Sequence, residues 1–514
     1  MFLPIAAQDT PDTEIHRYAI PLPGTKTVSN SDWKFRLEVG SIDARVYSVQ
    51  LSQYDILGRP LSVGVSQEYA ANQVFTWSSE TEAQGRRLRS LELISDTPLT
   101  GTLWMWNDIF GQINGVSITE HRSSVLAVPH IPEQFFEMTT SFSVQGISDN
   151  NSRSDIQFLF VDQANLGHAP TVERRNWPSG GYWISTPEVS LSIGQLGEDV
   201  SASWGLIFGT NPNYGFTGFQ TFTREDVTKL ASFTQTAAVE LSGEGKSQGY
   251  FLFSEFEQMG FEEELIFTNP NTERVRLMFQ LVSRIKDPET GLSELRVADS
   301  ELELAPLQKR ITLLRDDLFP EMEGTPVWLS YRSATLSEEP QPIPVFALHF
   351  QNDLNELSMG GHVAAESGRR VLAWIPRSPE FETILEVASL GLLTPILPEG
   401  IEDISQVDPD DLVYEKEETI VKLSLDDEVY RVAPTFIRLL AGEPLTAITS
   451  SEIRALFSER FEDQRESLVT VRLEVVSGPA IIAKMSAFRG NDLAIVNPYT
   501  FTPAQPTEED VQDN

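Results

Sequence analysis

Any chemistry done by this chain would have to draw on six histidines, many carboxylates and one aromatic loop, because cysteine is absent. The lack of cysteine removes disulfides, thiolate metal sites and a cysteine nucleophile. The histidines are His16, His121, His130, His168, His349 and His362, and no two have the His-Glu-x-x-His spacing that sets two imidazoles on one helix face. No nucleophile elbow is expected for a serine. Gly180-Gly181 sits in a Pro/Ser turn with no Gly-Lys after it, so it does not read as a phosphate-cradling loop. A glycosidase pair needs two carboxyl groups roughly 5–10 Å apart across a sugar-sized cleft. With 75 Asp and Glu, chance supplies many such pairs, and abundance decides nothing. The residues therefore predict no catalytic site, no metal site and no cofactor.

Two further groups bear on binding. Asp108, Asp226, Asp353 and Asp492 recur at similar positions along the chain. Calcium takes 6–8 oxygens, whereas each of these positions offers one Asp with an Asn or Glu neighbour, so they read as turn formers at strand ends. The run Trp177-Pro-Ser-Gly-Gly-Tyr-Trp183 is the most distinctive aromatic group. A Gly/Pro loop could present Trp177, Tyr182 and Trp183 as faces on which sugar rings stack, and equally Trp183 could open a buried strand. Trp104 and Trp106 alternate on a strand, so both point to one face, with core packing as the expectation.

The totals limit the partners. A formal charge of −37 repels nucleic-acid phosphate and anionic headgroups. Nucleic acid is accordingly not expected as a partner, while glycans or other surface proteins are. No run of about 18 apolar residues is present to span a membrane. The start, Met1-Phe-Leu-Pro-Ile-Ala-Ala-Gln8, looks like the end of a secretory signal, with Ala6-Ala7 as small residues before a polar stretch. Export, to a periplasmic, cell-surface or extracellular location, is the expectation.

The elements that would hold these residues repeat. A strand such as Tyr18 to Pro23 leads to a second, alternating one, Trp33-Lys-Phe-Arg-Leu-Glu-Val39. Val125 to His130, Tyr250 to Phe253 and Val371 to Pro376 open three further units in the same way. Each unit closes on a strand ending in an acidic or amide pair, the four being those that carry Asp108, Asp226, Asp353 and Asp492. In Trp33 to Val39 every odd position is apolar, the period-2 mark of a half-buried strand. Helix is minor: Ser450 to Phe457 predicts a short helix, and Leu313 to Pro320 another, together reading as short helical crossovers before the last strands. The fold class is all-β, about four tandem sandwich-like repeats at 15–124, 125–245, 246–370 and 371–501. Residues 1–14 precede them as a signal-like segment, 397–412 form an acidic insertion in the fourth, and 502–514 a polar tail.

The run Leu265-Ile-Phe-Thr-Asn-Pro-Asn271, then Leu318-Phe-Pro320 and Trp328-Leu329, resembles tandem β-sandwich modules of uncharacterised exported bacterial proteins. That resemblance implies a fold and export, and brings no active site. The expected role is an extracellular or cell-surface structural or adhesion protein, not an enzyme, in which acidic units repel one another along a stiff rod. The alternative is carbohydrate binding through the aromatic loop of the second repeat.

Overall fold

A computed structural model describes residues 15–22, 33–43, 45–71, 73–79, 88–107, 112–118, 120, 123–131, 138–148, 150, 152–161, 171–185, 203–225, 234–253, 261–286, 293–353, 358–376, 381–391, 393–396, 413–426, 433–440, 446–457, 468–489 and 492–501. The all-β expectation holds: among the described residues, antiparallel strands build eight sheets of four or five strands and one two-stranded ribbon.

The first stretch of chain holds β1 (His16–Pro21), β2 (Trp33–Ser41), β3 (Tyr47–Tyr54), β4 (Pro60–Val63), β5 (Gln67–Tyr69), β6 (Phe75–Ser78), β7 (Ser90–Ser95), β8 (Leu99–Asn107) and β9 (Gln112–Ile118). The second holds β10 (Val125–Ile131), β11 (Met138–Ser148), β12 (Ser154–Val161), β13 (Thr171–Trp177), β14 (Tyr182–Ser185), β15 (Ser203–Gly209), β16 (Tyr214–Glu225) and β17 (Thr234–Glu240). The third holds β18 (Gln248–Leu252), β19 (Phe261–Thr268), β20 (Val275–Lys286), β21 (Ser293–Leu304), β22 (Lys309–Leu313), β23 (Thr325–Thr335), β24 (Phe346–Asp353) and β25 (Ser358–Val363). The fourth holds β26 (Arg370–Pro376), β27 (Glu382–Ser389), the ribbon β28 (Leu393–Ile396) and β29 (Val413–Lys416), then β30 (Glu418–Asp426), β31 (Thr435–Leu440) and β32 (Thr446–Thr449). Helix α1 (Ser450–Phe457) follows, then β33 (Leu468–Ser477), β34 (Ile481–Arg489), β35 (Asp492–Val496) and β36 (Tyr499–Phe501).

One strand order recurs. The opening strand heads sheets ordered β1-β7-β3-β4, β10-β15-β12-β13 and β18-β23-β20-β21, and in the fourth β26 lies between β36 and β33 in the order β31-β30-β33-β26-β36. The second strand enters the other sheet of each pair: β6-β2-β8-β9, β14-β11-β16-β17, β22-β19-β24-β25 and β32-β27-β34-β35. The two sheets of a pair share one apolar cluster. In the first, Tyr18, Val49 and Leu91 meet Leu37, Leu103 and Val116. In the third, Phe251, Leu277 and Leu329 meet Leu265 and Phe267. Period-2 strands with one apolar face find burial this way.

The half-buried expectation for β2 needs correction, because both its faces are covered. Leu37 and Val39 face the cluster, yet Arg36 and Glu38 on the opposite face are also buried. The reason is packing between sheet pairs. Opening strand β1 lies on β11 and β16, β10 on β19 and β24, β18 on β34, and β26 on β8. Each pair thus covers the second sheet of the next, and the fourth covers the first. Phe222 and Val239 pack with Ile266, Leu348 and Phe350. Leu252 and Trp328 pack with Ala388 and Ile482. At the closing contact Trp374 lies against Gly40, where a Cβ would come within 2.7 Å of its Cζ2. Trp104 and Trp106 are buried as expected, but in a cluster with the fourth stretch's Phe381, Val387 and Met485. An extended rod is therefore replaced by a closed body. Repulsion between acidic surfaces is screened within about 8 Å at physiological salt, whereas apolar burial at four junctions is not.

Both expected helical turns are present. In α1 Thr449 is the cap: Glu452 N–H donates to its Oγ1 (3.1 Å), and Glu452 Oε2 accepts from Thr449 N–H (3.0 Å). This is a capping box, while Ser450 Oγ accepts from Thr383 N–H on β27 instead. Leu314–Leu318 forms a single π-turn, Phe319 N–H donating to Leu314 O, ahead of Pro320. Segments 1–14, 397–412 and 502–514 lie outside the described residues.

Candidate functional site

The three aromatic candidates are divided between two sheets, Trp177 on β13 and Tyr182 with Trp183 on β14. Trp177 ends β13, opposite Ser154, whereas Tyr182 and Trp183 lie on β14, opposite Gln145 and Val144 in the facing sheet. Trp177 is half-buried against the second cluster, with Arg174 over its ring at 5.9 Å. Its indole nitrogen is buried, and Gly181 is pressed so close that a Cβ there would meet it at 2.3 Å. The neighbouring Gly180 lies against Tyr54 of the first stretch. The side chains of Tyr182 and Trp183 lie outside the described residues, as do Asp108 and Asp226. Asp353 ends β24 and Asp492 begins β35.

One spelling departs from the expectation of no elbow. Gly245-Lys246-Ser247-Gln248-Gly249 reads Gly-x-Ser-x-Gly. It runs into β18 with no helix after it, and Ser247 O accepts from Ser333 N–H (2.8 Å). The strand–turn–helix context that exposes a nucleophile is not built there.

What the fold does bring together is its closing strands. β9 touches β17 and β35, and β25 touches the same two, so the last hairpin strands of the four stretches surround one axis. Their C-terminal ends, at Ser117, Glu240, Val363 and Asn497, converge on a cavity of about 460 Å³. Hydrogen bonds tie three of these ends together. Ser117 Oγ donates to Asn497 O (2.9 Å), and Asn497 Nδ2 donates to Val363 O (2.8 Å). The segments that lead into the third and fourth stretches line the same space, and Lys246 pairs there with Glu366 at 2.9 Å.

Behind the hub lies a buried polar chain. The register of the β24–β25 hairpin sets His349 opposite His362. His362 Nδ1–H donates to Val363 O (2.9 Å), which leaves Nε2 to accept from His349 Nδ1–H (2.9 Å). His349 Nε2 meets Glu263 Oε2 at 2.5 Å, and Gln351 Nε2 donates to Glu263 Oε1 (3.0 Å). One proton is held between Glu263 and His349, and the chain ends on a carbonyl, so the array locks β19 to the hairpin. Lys484 reaches in from β34, donating to Leu252 O (2.8 Å) and pairing with Glu386 at 3.4 Å. At the junction before it, Lys309 similarly donates to Ile131 O (3.0 Å) and approaches His130 Nδ1 at 3.2 Å. Among the described residues, no group of three or more His, Asp and Glu is placed to hold a metal ion.

The sequence spacing of thirteen residues between His349 and His362 hides their pairing. Only the hairpin register reveals it, and a shift by one residue would send them to opposite faces. A scan against protein-family models and a search of curated proteins both returned no match.

Burial, then the neighbouring Lys309, holds His130 well below its ordinary value of 6.5. Burial, then His349 and Lys484, does the same for His362. Both stay neutral when folded, so below pH 6.5 the unfolded chain binds more protons and stability falls as pH drops. Each histidine should contribute a slope of about 1.4 kcal/mol per pH unit. Urea titrations between pH 7.5 and 5.5 should show this loss, and His362→Gln should flatten it by about half. An unchanged slope in that variant would show that His362 is not the group taking up the proton.

Proposed function

We propose that the chain is an extracellular or cell-surface structural or adhesion protein with no catalytic step. In this reading its four sheet pairs are tandem sandwich-like repeats, at 15–124, 125–245, 246–370 and 371–501, joined by short helical crossovers. The single observation that carries the reading is the head-to-tail packing of each opening strand on the next pair, closed by β26 on β8. Side chains that could do chemistry are spent on holding the fold: Lys309 and Lys484 bond to protein groups at junctions, His349 bonds within the third stretch, and all three are buried. A charge of −37 keeps such a body dispersed and away from anionic polymers. No described helix is long and apolar enough to cross a membrane, and attachment is proposed to run through glycans or other surface proteins.

Cell fractionation combined with antibody labelling of intact cells tests this. Labelling of unbroken cells, or recovery from the medium, is the expected result. Confinement of the chain to the soluble interior would overturn the reading.

A further inference from the structure

We propose that Asn114-Gly115 is a self-modification site, sealed while the hub is closed, at which a molecule that opens is marked irreversibly by loss of ammonia. This goes beyond the structural role and does not depend on where the protein resides. Asn114-Gly115 is the one Asn-Gly pair in the sequence. It lies in the middle of β9, one of the four strands that surround the axis. The fit there demands the glycine, since a Cβ at 115 would come within 2.5 Å of Val496 Cγ2 on β35 and 2.8 Å of Trp104 Cζ3. Close approach of the fourth stretch therefore places after Asn114 the residue type with no side chain to hinder ring closure.

The reaction consumes only water. The Gly115 backbone nitrogen gives up its proton to hydroxide and attacks Asn114 Cγ. A C–N bond forms, the bond from Cγ to Nδ2 breaks, and the nitrogen leaves as ammonia. Water then opens the five-membered imide at either carbonyl, giving aspartate or the isomer whose backbone runs through the side chain. In the closed molecule this cannot start. Asn114 is 3% exposed, and it sits in the ladder opposite Met105, where the extended backbone holds the next nitrogen away from the side-chain carbon. Within its sheet β9 pairs with β8 alone, and its other side rests on β17 and β35. Loosening of the hub therefore frees the strand while the rest of its sheet stays paired. The mark then bars return. Aspartate puts a carboxylate where solvent does not reach, and the isomer lengthens the backbone just before Val116 and Ile118, both buried, and spoils their register.

Ageing the full chain in mildly alkaline buffer, with and without guanidinium chloride, tests this, read by mass mapping of the peptide that spans β9. Asn114 should convert to aspartate and its isomer in denaturant, and about a hundredfold more slowly in native buffer, where only opened molecules react. Trp104→Ala, which removes the ring packed on Gly115, should raise the native rate severalfold. Once denaturant is removed, converted chains should lack the hydrogen-exchange protection that unaged chains regain in β9 and β35. Aged and unaged Asn114→Gln should refold alike, because glutamine would have to close a larger ring. Equal rates in the two buffers, a native rate indifferent to Trp104→Ala, converted chains that regain full protection, or an ageing loss in Asn114→Gln equal to that of the unsubstituted chain would each overturn the assignment.

Discussion

Replacing Trp104 by alanine should lower the stability of the closed body by about 3–5 kcal/mol, the usual cost of deleting a buried aromatic side chain. Trp104 is fully buried, its ring centroid 5.4 Å from that of Phe381 across the closing contact. Its indole N–H donates to Glu38 Oε2 (3.1 Å), a carboxylate with 0% exposure. Truncation therefore opens a cavity and removes a donor from a buried charge, which places the effect towards the upper end. The informative comparison is Leu103→Ala, one residue earlier on β8 but facing the first cluster. Hydrogen exchange should show Trp104→Ala loosening β26 and β27 together with β8, and Leu103→Ala loosening mainly the first stretch. Unchanged protection in β26 and β27 after Trp104→Ala would mean that the closing contact is not energetically coupled to them.

Lys484→Met should have a similar cost, again about 3–5 kcal/mol, because it breaks a buried ion pair from one side. With 0% of its side chain exposed, the ammonium serves Leu252 O from the third stretch and Glu386 from its own. Methionine fills much of the volume but takes the ammonium away from Glu386 in a dry junction, where Ser486 Oγ also donates to that carboxylate (3.3 Å). Adding Glu386→Gln should recover a large part of the loss, since removing both charges is far milder than removing one. Denaturant midpoints for the two single variants and the double variant give the coupling directly. Additive losses would show that Lys484 and Glu386 do not act as a pair.

Local features were legible in the residues themselves. The alternation of Trp33 to Val39 marked β2, and the Asn269-Pro270-Asn271 run has turn chemistry in its residue types, Asn269 Nδ2 donating to Glu273 O and Ala305 O. Asp55 to Gly58 is of the same kind: Asp55 Oδ1 accepts from Leu57 and Arg59 N–H, and Gly58 takes a φ of 70°. Ser450 to Phe457 is a helix, as its apolar spacing indicates, and Thr449 caps it while Ser450 Oγ accepts from β27. What stayed hidden is everything that depends on a second surface. Arg36 and Glu38 look solvent-facing by period, and only the arrival of another sheet makes them interior. The hub escaped notice for the same reason, since Ser117 and Asn497 are 380 positions apart and neither belongs to any motif. The net charge pointed towards separation of the units, but it says nothing of where the charges sit. The faces that meet carry Trp104, Phe222, Leu252 and Trp328.

The closing contact also imposes an order on biosynthesis. A ribosome delivers β8 long before β26, so Trp104 and Trp106 have no shelter until the final quarter of the chain emerges. For most of its synthesis the nascent protein carries an aromatic sheet face open to neighbours, a liability of the kind chaperones shield. Exposure ends only when the last stretch folds back, and that long-range closure is entropically the slowest contact to find. A chain interrupted before that point would keep its early sheets and yet remain sticky, which makes the last stretch the quality checkpoint for the whole molecule.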